Sequence, residues 1–483
     1  MSTQNELGKP QNLFVEDVPT EEERKLDRET RNRLDLILMP MTLILYLLAW
    51  LDRANVGNAR VAGLDTDLNL SDYQYKVAIT VTYVPYIAAE LPSSLVLKKI
   101  GPRILLPTLC TAWGLVTILQ CEARNFSGFV ACRFFLGLCE GGLIPGIVLY
   151  LSGFYRRHEL QVRIALFFSA ASLSGAFSGL LAAAIQQMDG VRGLRGWQWI
   201  FILEGLFTVC FGLFSYAMLP NSPETVMTFK PEHRERCLRR LQLDANLFTE
   251  EKITTTQILS VFRDLHVLLL TGCLFCSGVC LFGLAYFSPA IVQAMGYDNT
   301  RTQLMTVPPY AVAFVVTMII AYIADRYRQR GICAFTTTLI SLVGAAMTLN
   351  GRSIAVRYTA LILLVTGIYS SAPCLISWVL NNTAGHVRRA TAVALGFTST
   401  SSGGVLSTWP KSSAPYYNLG ARFNLALVVI MLVGIVVQVF LLRWLNMRKE
   451  MNRAEILRGL EGVSYDEQFA LLGDRLPEYR YTY

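Results

Sequence analysis

Twelve apolar stretches constrain this chain of 483 residues more than any other feature. They lie near 34–54, 73–97, 103–122, 127–150, 162–186 and 198–219, then near 266–289, 304–324, 332–350, 357–381, 390–410 and 421–445. A hydrocarbon layer of roughly 30 Å takes about 20 residues of helix to cross. Lipid offers backbone polar groups no partners, so a spanning segment is a helix or part of a closed barrel. The apolar/polar alternation of a barrel is absent. The expected architecture is an all-α integral membrane protein with 12 transmembrane helices in two six-helix bundles. Its expected divisions are an N-terminal tail (1–33), a first bundle (34–219), a hydrophilic middle loop (220–264), a second bundle (265–445) and a C-terminal tail (446–483). The tenth and eleventh stretches, rich in Ser, Thr, Asn and Gly, give the weakest apolar signal.

Composition excludes the alternatives. The hydrophobic fraction is 53% and the charged fraction 16%, against about 25% charged in a soluble domain. Too little polar surface remains to coat a soluble core, and disorder requires the opposite balance. Residues 1–33 are polar and include the run Glu21 to Lys25, so the first span is expected to serve as its own insertion signal.

The net charge of +8 is explained by sorting Lys and Arg by side. Loops on the side of the middle segment hold 18 of them and the opposite loops ten, and both tails are basic. By the positive-inside bias both termini are cytoplasmic. No nucleic-acid partner is required. Ten of the eleven cysteines sit in apolar stretches. Cys273-x-x-Cys276 with Cys280 lacks the second ligand pair of a zinc site, so these thiols are expected to pack as small hydrophobes. No metal and no cofactor is expected.

A short basic turn recurs in each half. Lys98-Lys99-Ile100-Gly101-Pro102-Arg103 follows the second span, and Asp325-Arg326-Tyr327-Arg328-Gln329-Arg330 follows the eighth. This is the mark of a duplicated bundle. Gly175-x-x-x-Gly179, the Gly137–Gly146 cluster and Gly403-Gly404 favour close helix approach. Pro85, Pro92, Pro145, Pro308 and Pro309 interrupt the helical ladder. These features fit both tight packing and helices that bend.

Ionisable residues at lipid depth are costly and point to function. They are Asp52 and Arg53 in span one, Glu90 in span two, Arg133 and Glu140 in span four, and Glu204 in span six. The rise of 1.5 Å per residue places Asp52 level with Arg133, and puts Arg133 and Glu140 on one helix face about 10 Å apart. The four are expected to face one another across a central cavity. A carboxylate that alternates between an Arg partner and none is a proton switch, and Arg clamps a carboxylate with two donors. The expected roles are therefore Arg53 as anion clamp, Asp52 and Glu140 as proton carriers, and Arg133 as a switching partner. Glu90 and Glu204 are expected in packing or gating. A permanent structural ion-pair network is the competing reading.

These residues also carry a resemblance. Leu51-Asp52-Arg53-x-Asn55-x-Gly57-Asn58-Ala59, Glu90-Leu91-Pro92-Ser93, Arg133-Phe134-Phe135-Leu136-Gly137-x-x-Glu140-Gly141-Gly142, Tyr155-Arg156-Arg157-x-Glu159, Gly196-Trp197-x-Trp199-x-Phe201-x-x-Glu204-Gly205, Thr306-Val307-Pro308-Pro309-Tyr310 and Trp378-x-x-Asn381-Asn382 occur in this order. Together they resemble the major facilitator superfamily, in its anion:cation symporter family and the fungal allantoate permease-like branch. The resemblance implies a twelve-helix fold, alternating access and proton-driven movement of organic anions. It implies proton coupling at Asp52 and Glu140, and a cavity lined by Arg53, Tyr86 and Asn382. The turn after span two lacks the acidic residue usual in the superfamily, so the acidic half of that gate rests on Asp325, beside Arg326. Branch members move allantoate, nicotinate, other vitamins, small peptides and sulfur compounds.

The expected function is a non-enzymatic, proton-coupled symporter of a small organic anion, monomeric in the plasma membrane. Its partners are the anion, protons and the bilayer. An exporter of a fungal metabolite would use the same fold. A sensor is disfavoured by the short tails. A membrane enzyme is disfavoured because no nucleophile–base pair, metal cluster or phosphate loop is present.

Overall fold

The computed structural model describes residues 20–246, 255–327, 329–351, 353–384, 386–409, 418–458, 472–477 and 479–483. All regular structure among them is helical. The first half comprises α1 (Glu21–Val61), α2 (Asp72–Ile100), α3 (Pro102–Leu119), α4 (Phe126–Glu140), α5 (Leu143–Ser152), α6 (Arg157–Ile185) and α7 (Gly196–Met218). Between the halves come α8 (Pro231–Asn246) and α9 (Thr255–Val261). The second half comprises α10 (Leu265–Gln293), α11 (Asn299–Tyr327), α12 (Arg330–Asn350), α13 (Ile354–Asn381), α14 (His386–Ser407) and α15 (Asn418–Met451). The fourth span is broken at Gly141-Gly142 into α4 and α5.

Local chemistry sets several helix starts. The Thr20 hydroxyl accepts the Glu23 N–H at 3.3 Å while the Glu23 carboxylate accepts the Thr20 N–H at 3.1 Å. This reciprocal cap, with Glu21 to Glu23 in the first turn, starts α1 thirteen residues ahead of its apolar stretch. Ser71 and Gln74 cap α2 in the same way. α1 also continues to Val61. Arg53 thus lies about 12 Å from that end, deeper than the apolar stretch alone suggests.

Among the described residues, nine spans are long and apolar enough to cross a membrane by themselves. The tenth stretch, now α13, is one of them. The three others are α2, α6 and α14. They pack across the boundary between the halves, α2 on α14 and α6 on α11, so their small and polar residues meet protein as well as lipid. At the opposite extreme, α15 has mean hydropathy 3.1 in its most apolar window with only 33% of it buried, whereas the corresponding window of α13 is 83% buried. Val433, Phe440 and Ile430 stand exposed on α15. A soluble protein would not present such a stripe to water. The chain is a multi-pass membrane protein with α1, α10 and α13 near its centre.

The halves close on each other at the face away from α8, here the far face. The Tyr83 and Tyr286 hydroxyls are 2.8 Å apart, the Thr80 and Thr408 hydroxyls 2.7 Å, and the Gln303 amide donates to the Asn58 carbonyl at 3.3 Å. Gly57 permits the contact of α1 with α10, because a Cβ there would lie 2.5 Å from the Tyr286 carbonyl oxygen. Gly175 and Gly179 face Tyr310 and Thr306 of α11.

On the opposite face an ionic brace joins α1, α6 and α8. Arg236 pairs with Asp27 at 2.7 Å and with Glu23 at 2.8 Å, Arg163 pairs with Asp35 at 2.6 Å, and Arg240 bonds Glu159. The C-terminal residues also lie on this face. Rather than trailing free, they fold back onto α13, α14 and α15: the Trp378 indole donates to the Thr482 carbonyl at 2.9 Å, and Arg388 joins Asp474 to Asp264. All eleven cysteines are free thiols, and eight of them are buried.

Candidate functional site

Tyr46, Trp50 and Arg53 follow one another at i, i+4 and i+7, so α1 presents them on one face. That face borders a hollow between the halves, with about 680 Å³ of space not filled by atoms, counted to its open mouth. Tyr86 and Glu90 of α2 border it one turn apart. The second half contributes Phe282, Tyr369, Ser277, Thr400 and Ser401. The hollow lies on the α8 side of the tyrosine seal.

Arg53 is the positive group of this wall. Its guanidinium carbon lies 5.2 Å from the centre of the Trp50 ring, 5.3 Å from Tyr86 and 5.7 Å from Phe282. Trp50 and Phe282 stack nearly parallel at 5.3 Å. The rings hold the cation by their negative faces and exclude water from its flanks. Arg53 also reaches the Glu140 carboxylate at 2.8 Å. Glu140 is 1% exposed, so its charge depends on that partner.

A second pair lies behind the first. Arg133 approaches Asp52 at 3.7 Å, and the Thr117 hydroxyl donates to the other Asp52 oxygen at 3.1 Å. The four charges expected to face one another across a cavity thus form two direct pairs between α1 and the fourth span. Only Arg53 among them borders the hollow; Asp52, Arg133 and Glu140 are sealed within the first half. Long Arg side chains bridge a gap that Cα depth alone leaves open.

The remaining expected residues divide. Glu90 borders the hollow, and its carboxylate accepts the Thr398 hydroxyl of α14 at 3.4 Å. It therefore touches both halves. Tyr86 is at the wall as expected. Asn382 is not. It stands at the end of α13, fully buried, and its amide group donates to the Thr482 carbonyl at 3.0 Å while accepting the Thr482 N–H at 2.8 Å. Its hydrogen-bonding groups serve the C-terminal segment, so a place in the cavity wall is corrected to a structural one. Arg326 is exposed at the end of α11. The Asp325 side chain lies outside the described residues.

The sequence reading did not single out Trp50, Phe282 or Tyr369. For Trp50 a signal was present, since it sits three residues before Arg53 on the same helix face. Phe282 and Tyr369 had none, because α10 and α13 are buried all round and carry no polar stripe to orient them.

Comparison with known proteins agrees with this geometry. Residues 42–408 match the family described as Major Facilitator Superfamily. An uncharacterised transporter of Schizosaccharomyces pombe is 37% identical over 426 residues, covering 87% of this chain and 85% of that protein. The high-affinity nicotinic acid transporter of Saccharomyces cerevisiae is 32% identical over 462 residues, covering 95% and 85%. Among solved structures, a bacterial homologue of the human lysosomal transporter Spinster in an inward-facing conformation superposes with TM-score 0.65 at 14% identity, over 83% of this chain and 95% of that one. The D-xylose-proton symporter gives 0.63 at 14%, over 82% and 97%. With two helical halves around a charged hollow and a match over most of its length, the chain belongs to the major facilitator superfamily and is a membrane transporter.

Proposed function

We propose that this transporter is a proton-coupled symporter of a small organic anion. The observation that carries the reading is the Arg53–Glu140 pair, in which a cation at the cavity wall is neutralised by a carboxylate buried behind it. A substrate carboxylate entering the hollow competes with Glu140 for the guanidinium. Protonation of Glu140 removes the competitor and leaves Arg53 to the substrate, for which its planar fork of donors is well shaped. Substrate and proton therefore favour each other's binding, as symport requires. Asp52 and Arg133 form the next proton step.

The moving bodies are the two bundles, 34–219 and 265–445. The far-face seal and the hollow on the opposite side correspond to an inward-facing state, if the basic loops mark the cytoplasm. The aromatic wall favours a planar substrate, and the plasma membrane is the proposed location. Nicotinic acid, named for the Saccharomyces relative, is a suitable first probe among small carboxylates.

The test is uptake into proteoliposomes containing the full chain. An imposed acid-outside gradient should drive accumulation of a labelled carboxylate, and a protonophore should abolish it. Accumulation that ignores the gradient would overturn the coupling. A panel of carboxylates that fails to raise the thermal stability of the purified protein would overturn the anion site.

A further inference from the structure

One buried acid has no part in the scheme so far. Glu204 stands in the third turn of α7 and is 6% exposed. Both of its carboxylate oxygens are buried, and neither meets a hydrogen-bond donor among the described residues. The surroundings are dry. At the next residue, Gly205, a Cβ would lie 2.8 Å from the Gly114 carbonyl oxygen, so α3 and α7 touch backbone to backbone. An ionised carboxylate without a partner is not tolerated in such a place.

The groups around it can be named. From α1, Asp52 is the charged residue whose field reaches Glu204. From the fourth span, the Arg133 guanidinium lies 5.7 Å from the ring of Phe201, one turn before Glu204. Two of its nitrogens, Nε and one terminal nitrogen, are buried without hydrogen-bond partners. From α3 come the Thr117 hydroxyl, which is on Asp52, and the Cys110 thiol, which bonds the Thr208 carbonyl one turn beyond Glu204. The cluster therefore holds two carboxyl groups and one guanidinium. Charge balance requires one proton on the two acids.

We propose that Glu204 and Asp52 share that proton and that Glu204 is a third proton-carrying residue, behind the Arg133–Asp52 pair. The inference rests on the proton-coupled reading and extends it. In the transfer, the O–H bond at Glu204 breaks and one forms on Asp52. Arg133 then turns from Asp52 to the newly charged Glu204, to which its unpartnered nitrogens are free to donate. One proton moves, and no electron changes hands. Arg133 keeps one carboxylate partner throughout, so the step leaves no bare charge.

The experiment follows the carboxyl C=O stretch of the purified full-length protein in nanodiscs by infrared difference spectroscopy across a pH titration, with the proton itself as the probe. The expected result is a protonated-carboxyl band that bleaches on alkalinisation. Glu204→Gln should remove about one carboxyl of its amplitude, and Asp52→Asn should shift its midpoint. If Glu204→Gln leaves the titrating band unchanged while Asp52→Asn or Glu140→Gln diminishes it, Glu204 is not a carrier and the coupling reading stands. If no carboxyl of the unsubstituted protein titrates, the coupling reading itself falls. Should Glu204→Gln fail to fold, Glu204→Asp retains the acid and must keep the amplitude with a displaced midpoint; an unmoved midpoint counts against the proposal.

Discussion

Arg53 and Glu140 meet at 2.8 Å, although one comes from the first span and the other from the fourth, and only Arg53 borders the hollow. The pair thus has a wet end and a dry end. Removing Arg53 leaves a buried carboxylate without its cation, at a cost of about 3–5 kcal/mol. Arg53→Ala is therefore expected to abolish uptake and to lower thermal stability. Adding Glu140→Gln should restore the stability but not the uptake. Glu140→Gln alone frees the clamp, so counterflow exchange should persist while acid-driven accumulation is lost. Persistent accumulation in Glu140→Gln proteoliposomes would exclude this residue as a carrier.

The far-face seal predicts a different kind of variant. A Cβ at Gly57 would lie 2.5 Å from the Tyr286 carbonyl oxygen, which is backbone and cannot swing away. Gly57→Val should force the far-face ends of α1 and α10 apart. Overpacking costs about 1–3 kcal/mol, which corresponds to roughly a 5- to 150-fold loss of the far-face-closed state. Hydrogen–deuterium exchange should rise in the far-face part of α10, and net uptake should fall. Unchanged exchange there would show that the seal tolerates a side chain.

The fold was largely legible because lipid imposes one rule on every span: an apolar stretch of sufficient length is a helix. The exceptions are physical. α2 and α6 carry small and polar residues because they face the opposite half as well as lipid. The first 13 residues of α1 are largely polar, a pattern that predicts a tail, yet a capping box starts the helix at Glu21 and α8 pairs with it through Arg236. The site was legible where charge marked it, at Asp52, Arg53, Arg133 and Glu140. Their partners were not, because pairing depends on where long side chains reach. Asn382 shows the limit most clearly. Its motif suggested a cavity residue, but its partner, Thr482, lies 100 positions away in sequence.

That correction is itself testable. If Asn382 anchors the C-terminal segment, Asn382→Ala leaves the Thr482 N–H and carbonyl without these partners. A buried polar group left unsatisfied costs about 1–3 kcal/mol. The expected outcome is a lower thermal midpoint with carboxylate affinity unchanged in the folded protein. Tyr479, whose hydroxyl donates to the Asn381 carbonyl at 2.6 Å, should respond alike when changed to Phe. A loss of affinity without loss of stability in Asn382→Ala would return this residue to the cavity wall.

The brace on the same face carries a pH dependence of definite sign. His233 of α8 shares a hydrogen bond of 3.2 Å with the Thr30 hydroxyl of α1. Burial holds its pKa below the ordinary value, and Arg33 and Lys230 act in the same direction, against Glu29 and Glu232. The folded state therefore binds the proton less readily than the unfolded chain, whose histidine titrates near about 6.5. In the window below that value the unfolded state holds more protons, so stability falls as pH falls and is fully present above it. Acidifying from neutral pH to about 5.5 should loosen α8 from α1. Amide exchange along α8 measures this directly. His233→Asn, which keeps a hydrogen-bonding group but does not titrate, should flatten the response; an equal response in that variant would assign the pH dependence to other groups of the brace.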